Sequence, residues 1–248
     1  MNPDCSRLLK ADRSLMKETI TIALSKGRLF DEALLLLKKA GIEIAESNLN
    51  SRKLVVPDTQ KRFQFFMVKP IDVPTYVEYG VADVGIAGRD VLAESSADIH
   101  QPLDLRIGFC KMVVAAPKAA ARQDYKELSA VRIATKYPRI TTEYFTHRGI
   151  PVEIIPLSGS VELAPLLGLS DRIVDLVSSG RTLAENGLEI VESIMDISAR
   201  LVVNRASYQI KRQAITGLIE MLSKVVEKES TPQRHGDMEE EAGRRLRR

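Results

Sequence analysis

Residues 173–188 read IVDLVSSGRTLAENGL, and this stretch constrains the chain more than any other. Ile173 to Val177 is a short apolar run of the kind buried on both faces of a parallel sheet, and Asp175 is its single charge. A carboxylate near the end of such a strand needs a partner or a ligand to offset its burial. Ser178, Ser179, Gly180, Arg181 and Thr182 then supply small and hydroxyl side chains around one glycine, so successive backbone N–H groups can turn toward an anion. Thr182 and Glu185 stand at capping-box spacing and predict a helix start just after the loop, which adds its dipole to the same spot. Together these make a phosphate cradle with a carboxylate beside it, although strand, polar turn and helix also serve as a plain connection in α/β proteins. No G-x-x-x-x-G-K-[ST] occurs, so the P-loop is excluded.

Toward the N-terminus, Thr19 to Leu24 has the pattern of a strand, Ser25-Lys26-Gly27-Arg28 of a turn, and Leu29 to Ala40 of a helix closed by Gly41. Lys26 and Arg28 are either a solvated turn or two cations facing a crevice at the carboxyl end of a strand. Leu54–Pro57 and Arg62–Lys69 are predicted as a hairpin. Pro70 to Gly80 is expected to be helical, Val81 to Asp90 to be strand and turn, and Leu105 to Ala116 to form one long strand crossing into a second domain. Strand, helix and strand then follow at 131–135, 137–147 and 152–156, and Ser158-Gly159-Ser160 opens a helix carrying Glu162. Lys136 and Glu162 fall near carboxyl ends of strands. Leu188 to Asn204 is predicted as the return crossing, and Ile215, Leu218, Ile219, Leu222, Val225 and Val226 share one helical face.

Asp175 followed by Ser-Ser-Gly-x-Thr is similar to the loop with which phosphoribosyltransferases hold phosphoribosyl pyrophosphate (PRPP). The common form of that loop has two adjacent acids, whereas Val174 precedes Asp175 here, which points away from salvage and pyrimidine enzymes. With Thr182-Leu183 and Asn186-Gly187-Leu188 attached, the stretch looks like the signature of ATP phosphoribosyltransferase, the enzyme that opens histidine biosynthesis. The Leu-Ser-Lys-Gly-Arg turn at 24–28 and the Y-G-x-A-D-x-G-I-x-G-x-D pattern at 79–90 resemble that family as well.

The resemblance implies two α/β lobes of the type II periplasmic-binding-protein kind with a cleft between them. It also implies transfer of the 5-phosphoribosyl group of PRPP to N1 of ATP with release of pyrophosphate, and magnesium as cofactor, carried by PRPP rather than by the protein. Arg28 and Arg52 are expected to act on the pyrophosphate. Asp175, Glu162, Ser178, Ser179, Gly180, Arg181 and Thr182 are expected to hold PRPP. Lys26, Asp72, Gly88, Arg89 and Asp90 are expected on the ATP side. With no regulatory domain visible after residue 204, the chain resembles the short form, which works in a hetero-oligomer with a regulatory subunit resembling histidyl-tRNA synthetase. The apolar face from Ile215 to Val226 can dock such a partner or cover its own lobe. Alternatives are another PRPP-dependent transferase, which would carry a second acid at position 174, and a non-enzymatic solute-binding module of the same fold.

Composition adds exclusions. A net charge of +3 spread evenly over 248 residues does not suggest nucleic-acid binding. Cys5 and Cys110 lack metal or disulfide spacing, and charges through residues 1–18 break up any signal-peptide core, so a cytoplasmic protein without membrane attachment is expected. The predicted organisation is an N-terminal extension at 1–18, a first lobe from 19–106 plus 188–229, a second lobe at 107–187, and a charged, disordered tail at 230–248.

Overall fold

Strand β1 (Ile20–Ser25) is buried at nearly every position, as a central parallel strand covered on both faces must be. It pairs in parallel with β3 (Phe63–Val68) and β4 (Val84–Gly88). The computed structural model describes residues 19–49, 53–125 and 130–230. Arg52, the 1–18 extension and tail residues 231–248 lie outside these. Among the described residues two sheets form. The first adds β2 (Val55–Pro57) at one edge and β11 (Ala199–Val203) and β5 (His100–Asp104) at the other, in the order β2-β3-β1-β4-β11-β5.

The second sheet runs β10-β6-β9-β7-β8, from β6 (Cys110–Pro117), β7 (Val131–Thr135), β8 (Val152–Pro156), β9 (Arg172–Val177) and β10 (Leu188–Ile197). Strand β9 is central, antiparallel to β6 and parallel to β7. Helices flank both sheets. Those used below are α1 (Phe30–Lys39), α2 (Glu46–Leu49), α3 (Val73–Glu78), α4 (Arg89–Ser95), α5 (Pro138–His147), α6 (Leu163–Leu166), α7 (Arg181–Glu185), α8 (Arg205–Ile210) and α9 (Arg212–Ser230).

Two expectations are corrected at the crossings. The long strand expected from Leu105 begins only at Cys110, because Arg106 and Gly108 take positive φ (52° and 66°) and turn the chain between lobes. The sequence HQPLD, polar and broken by Pro102, nonetheless forms the edge strand β5, held among the described residues by β11 alone. The return crossing lies at Ser198 rather than at Leu188, since the whole of β10 pairs with β6 in the second lobe. Leu105 N donates to Ala199 O and Ala199 N to Ile107 O, both at 2.9 Å, so the two crossings are bonded to each other.

Helix α9 buries Ile215, Leu218, Leu222 and Val226 against Leu36, Leu37 and Phe65 of the first lobe. Each such side chain contributes about 1.5–3 kcal/mol when fully buried. The apolar face therefore covers its own lobe. A second tie anchors the same end: Asp83 Oδ2 accepts from Thr21 N (2.8 Å) and from Lys211 Nζ (2.8 Å), and Lys211 also donates to Thr19 O (3.0 Å). Burial alone would raise the Asp83 carboxyl; the bonds from Lys211 and Thr21 outweigh it and hold it below the usual carboxylate range.

Candidate active site

The carboxyl ends of β1, β3 and β4 face those of β7, β8 and β9 across a cleft of about 700 Å³, which is where open α/β sheets bind ligands. Lys26, Arg28 and Lys69 line it from the first lobe, Lys136, Tyr137 and Ser158 from the second, and Gly108 and Ile197 from the crossings.

Arg28 spans the lobes. Its Nη1 donates to Ser178 Oγ at 2.6 Å, and its Nη2 to Cys110 Sγ at 3.1 Å and Gly108 O at 3.4 Å. Burial pushes the Cys110 thiol up, against the opposing pull of Arg28. The turn after β1 and the loop after β9, which the sequence separates by 150 residues, thus meet through one arginine.

The loop itself is built differently from the expectation. Helix α7 starts at Arg181, directly after Gly180, whose φ of 75° is the left-handed conformation that glycine takes without strain. No side chain caps the helix, and Thr182 lies inside its first turn. Glu185 pairs with Arg181 instead (Nε to Oε1, 3.0 Å), so the Thr182–Glu185 capping box is not made. Buried Leu183 pins the helix to the second-lobe core while Ser178, Ser179, Arg181 and Thr182 stay exposed.

Asp175 is half-buried, with Oδ1 accepting from Leu176 N at 2.8 Å. Burial raises its carboxyl above the ordinary range; Lys136 works against this, and Glu162, half-buried just before α6, adds to it. Asp175 therefore stands in the field of a second acid and a lysine, a setting in which a carboxylate oxygen can accept from hydroxyl groups.

The residues expected on the ATP side separate. Lys26, Gly88 and Asp90 line the cleft. A Cβ on Gly88 would lie 2.2 Å from Asp90 Oδ1, so any other residue would push the Asp90 carboxylate out of its place. Asp90 is buried and its Oδ2 accepts from Tyr137 OH at 2.9 Å, a bond between lobes. Burial and that carboxylate drive the Tyr137 phenol far above its ordinary range. Arg89 turns to the return crossing, with its N on Ser198 O (3.0 Å) and Nη1 on Asp196 O (3.3 Å). Asp72 ends the short 3₁₀ turn Pro70–Asp72, of which Pro70 and Ile71, not Asp72, line the cleft.

Lys69, Glu94 and Tyr137 were not anticipated as lining residues. Lys69 and Lys136 each stand one position past the carboxyl end of a parallel strand, and that offset is the signal that finds both. Among the described residues no group of three or more His, Cys, Asp or Glu is placed to hold a metal ion, and no helix is long and apolar enough to cross a membrane.

A family model described as ATP phosphoribosyltransferase matches residues 69–224. An ATP phosphoribosyltransferase of Acidithiobacillus ferrooxidans is 59% identical over 209 residues, covering 84% of this chain and 97% of that protein. One from Geobacter metallireducens is 51% identical over 212 residues, 85% of this chain and 100% of that protein. Among solved structures, the ATP phosphoribosyl transferase (HisG:HisZ) complex from Thermotoga maritima matches with 40% identity and a TM-score of 0.73, over 85% of this chain and all of that one. The periplasmic aliphatic sulphonate binding protein SsuA from Escherichia coli matches with 12% identity and a TM-score of 0.55, over 84% of this chain and 72% of that one, a likeness of fold alone. The fold is two-lobed and of the type II periplasmic-binding-protein kind.

Proposed function

From the chain's membership of the ATP phosphoribosyltransferase family, we infer that it transfers the 5-phosphoribosyl group of PRPP to N1 of ATP and releases pyrophosphate, the first step of histidine biosynthesis. The bond from the anomeric carbon to pyrophosphate breaks as the bond to N1 forms. Positive charge grows on the ribose and negative charge on the leaving group. Preset cations stabilise the second and hydroxyl acceptors orient the first.

The observation that carries the site assignment is the 2.6 Å bond from Arg28 to Ser178, which brings a guanidinium to the mouth of the hydroxyl loop. In our proposal Ser178 to Thr182 hold the 5-phosphate, Asp175 and Glu162 take ribose hydroxyls, and Arg28, with Arg52, offsets charge on the pyrophosphate. Lys26, Gly88 and Asp90 border the nucleotide, with Asp72 and Arg89 further out. Magnesium belongs to the same proposal. Asp175 and Glu162 can meet the hydration shell of an ion that arrives on PRPP, where it supplies charge neutralisation at the pyrophosphate.

We further propose that the enzyme is cytoplasmic and of the short form, assembled with a histidyl-tRNA-synthetase-like regulatory subunit, as the Thermotoga maritima complex suggests. The purified chain, incubated with ATP, PRPP and magnesium with and without that subunit, is expected to release pyrophosphate and form a new ultraviolet-absorbing adduct. No pyrophosphate release in either mixture, or release that does not require ATP, overturns the activity. Histidine should inhibit only the mixture containing the partner; strong inhibition of the chain alone overturns the short-form reading.

A further inference from the structure

Helix α5 satisfies its first turn in an unusual way. The opening backbone N–H groups of a helix have no partner within it. Tyr137 N donates to Thr135 Oγ1 at 2.9 Å, Pro138 has no N–H, and Thr141 N already reaches Tyr137 O at 3.0 Å. Arg139 N and Ile140 N remain. Both cross to the first lobe, Arg139 N to Glu94 Oε1 at 2.9 Å and Ile140 N to Glu94 Oε2 at 3.0 Å. A helix cap is ordinarily a neighbour in sequence. Here it comes from 45 residues away, on the other side of the cleft.

The same face of α4 makes the remaining contacts. Asp90, one helical turn before Glu94, takes the Tyr137 hydroxyl, and Ala93 O accepts from Arg139 Nε at 3.2 Å. Lys136 and Tyr137 line the cleft immediately before α5. Whatever fixes the start of α5 against α4 therefore fixes how far Lys136 stands from the strand ends of the first lobe.

We infer that Glu94 is a positioning residue: by capping α5 across the cleft it sets the separation of the two half-sites. Its effect on turnover rests on the phosphoribosyl-transfer reading; its effect on lobe separation does not. Each Glu94 oxygen accepts one backbone N–H of α5, so the carboxylate at the cleft wall is already committed to holding that helix.

The test measures both. Spin labels at Lys38→Cys and His147→Cys, exposed sites in different lobes, are introduced in a Cys5→Ser chain diluted with unlabelled protein. The unmutated chain should give one narrow distance, Glu94→Ala a broad or longer distribution, and Glu94→Gln, which keeps one acceptor, an intermediate one. Turnover at saturating ATP and PRPP should fall about tenfold in Glu94→Ala, as expected when reacting groups are misplaced by a fraction of an ångström, and recover in part in Glu94→Gln. If Glu94→Ala fails to fold, Glu94→Gln decides alone. A narrow distribution at the unmutated distance overturns the inference. So does a lower Tm with unchanged kcat per folded molecule, which is the behaviour of a merely structural cap. Absence of turnover in the unmutated chain would remove the activity, while the distance distributions would still decide the role of Glu94.

Discussion

Two of the seams between the lobes, among the described residues, are made in opposite ways. Where α4 meets α5, the bonds run between a buried carboxylate and a phenol and from two backbone amides to one carboxylate, and no first-turn donor of α5 is left over. Where the turn after β1 meets the loop after β9, an exposed arginine leans on an exposed serine hydroxyl, a thiol and one carbonyl. A hydroxyl is a weak partner for a guanidinium, and a phosphate oxygen is a far better one. On the proposed site assignment, substrate phosphate displaces Ser178 from Arg28 with a net gain, whereas α5 already has a charged acceptor in Glu94. One seam would then hold the geometry and the other yield to ligand.

The largest expected effect breaks the yielding seam. Arg28→Leu should lower pyrophosphate release at saturating substrate by roughly 10²–10³, as removal of one preorganised donor does, while thermal melts stay close to those of the unmutated chain. Arg28→Lys should recover only part, since an ammonium cannot reproduce the guanidinium fork. Full activity in Arg28→Leu would take the arginine out of the mechanism.

Asp175→Asn comes next, and it should separate rate from stability. Loss of a hydrogen bond to a charged group, about 1.5–3 kcal/mol, corresponds to roughly ten- to 150-fold in rate. Stability should move the other way. Because burial holds the Asp175 carboxyl above its ordinary 3.8, the folded state favours the protonated form, and ionisation costs stability that grows as pH rises through that range. Removing the charge should raise Tm at neutral pH. A lower Tm would show that Asp175 is already well paired without ligand.

Asp83 belongs to neither seam and serves as a contrast. Its carboxyl is held below 3.8, so it contributes stability that is present above that pH and lost as pH falls through its folded value. Asp83→Asn should cost about 1–3 kcal/mol, or about 2–4 °C in Tm for each kcal/mol, at neutral pH. The deficit should shrink as the buffer is taken below pH 3.8, with kcat unchanged throughout. A deficit that persists in acid would mean that the carboxylate charge is not what Lys211 answers.

The smallest effect sharpens the reading of the loop. With no capping box formed, Thr182→Ala should leave stability within about 0.5 kcal/mol and act only on PRPP affinity. A loss of 1 kcal/mol or more at equilibrium would restore the cap.

Much of this was legible in the chain because it is local. The strand ending at Val177, the turn carrying Arg28 and the apolar face of α9 each declare themselves within a few residues. Capping spacing misled at Thr182 because Gly180 in the left-handed region starts the helix earlier and Glu185 finds Arg181. Strand β5 hid because His100, Gln101 and Pro102 carry no alternation, and only pairing with a strand a hundred residues later makes it a strand. The α4–α5 seam is also nonlocal. Asp90 and Glu94 one turn apart, and a proline opening a helix with no capping side chain of its own, are halves of a signal joined only when the lobes come together.

The placement of the two crossings bears on how the chain is made. All five strands of the second sheet fall between Cys110 and Ile197, an unbroken run. The first sheet cannot close until β11 inserts between β4 and β5, nor can its core be covered until α9 arrives. During synthesis the later-coded lobe can thus complete itself while the earlier one waits with β1, β3 and β4 assembled and one flank uncovered. The connectivity therefore lets the order of folding run against the order of translation, with the apolar surface of the first lobe still partly uncovered between the emergence of Leu105 and that of Val226.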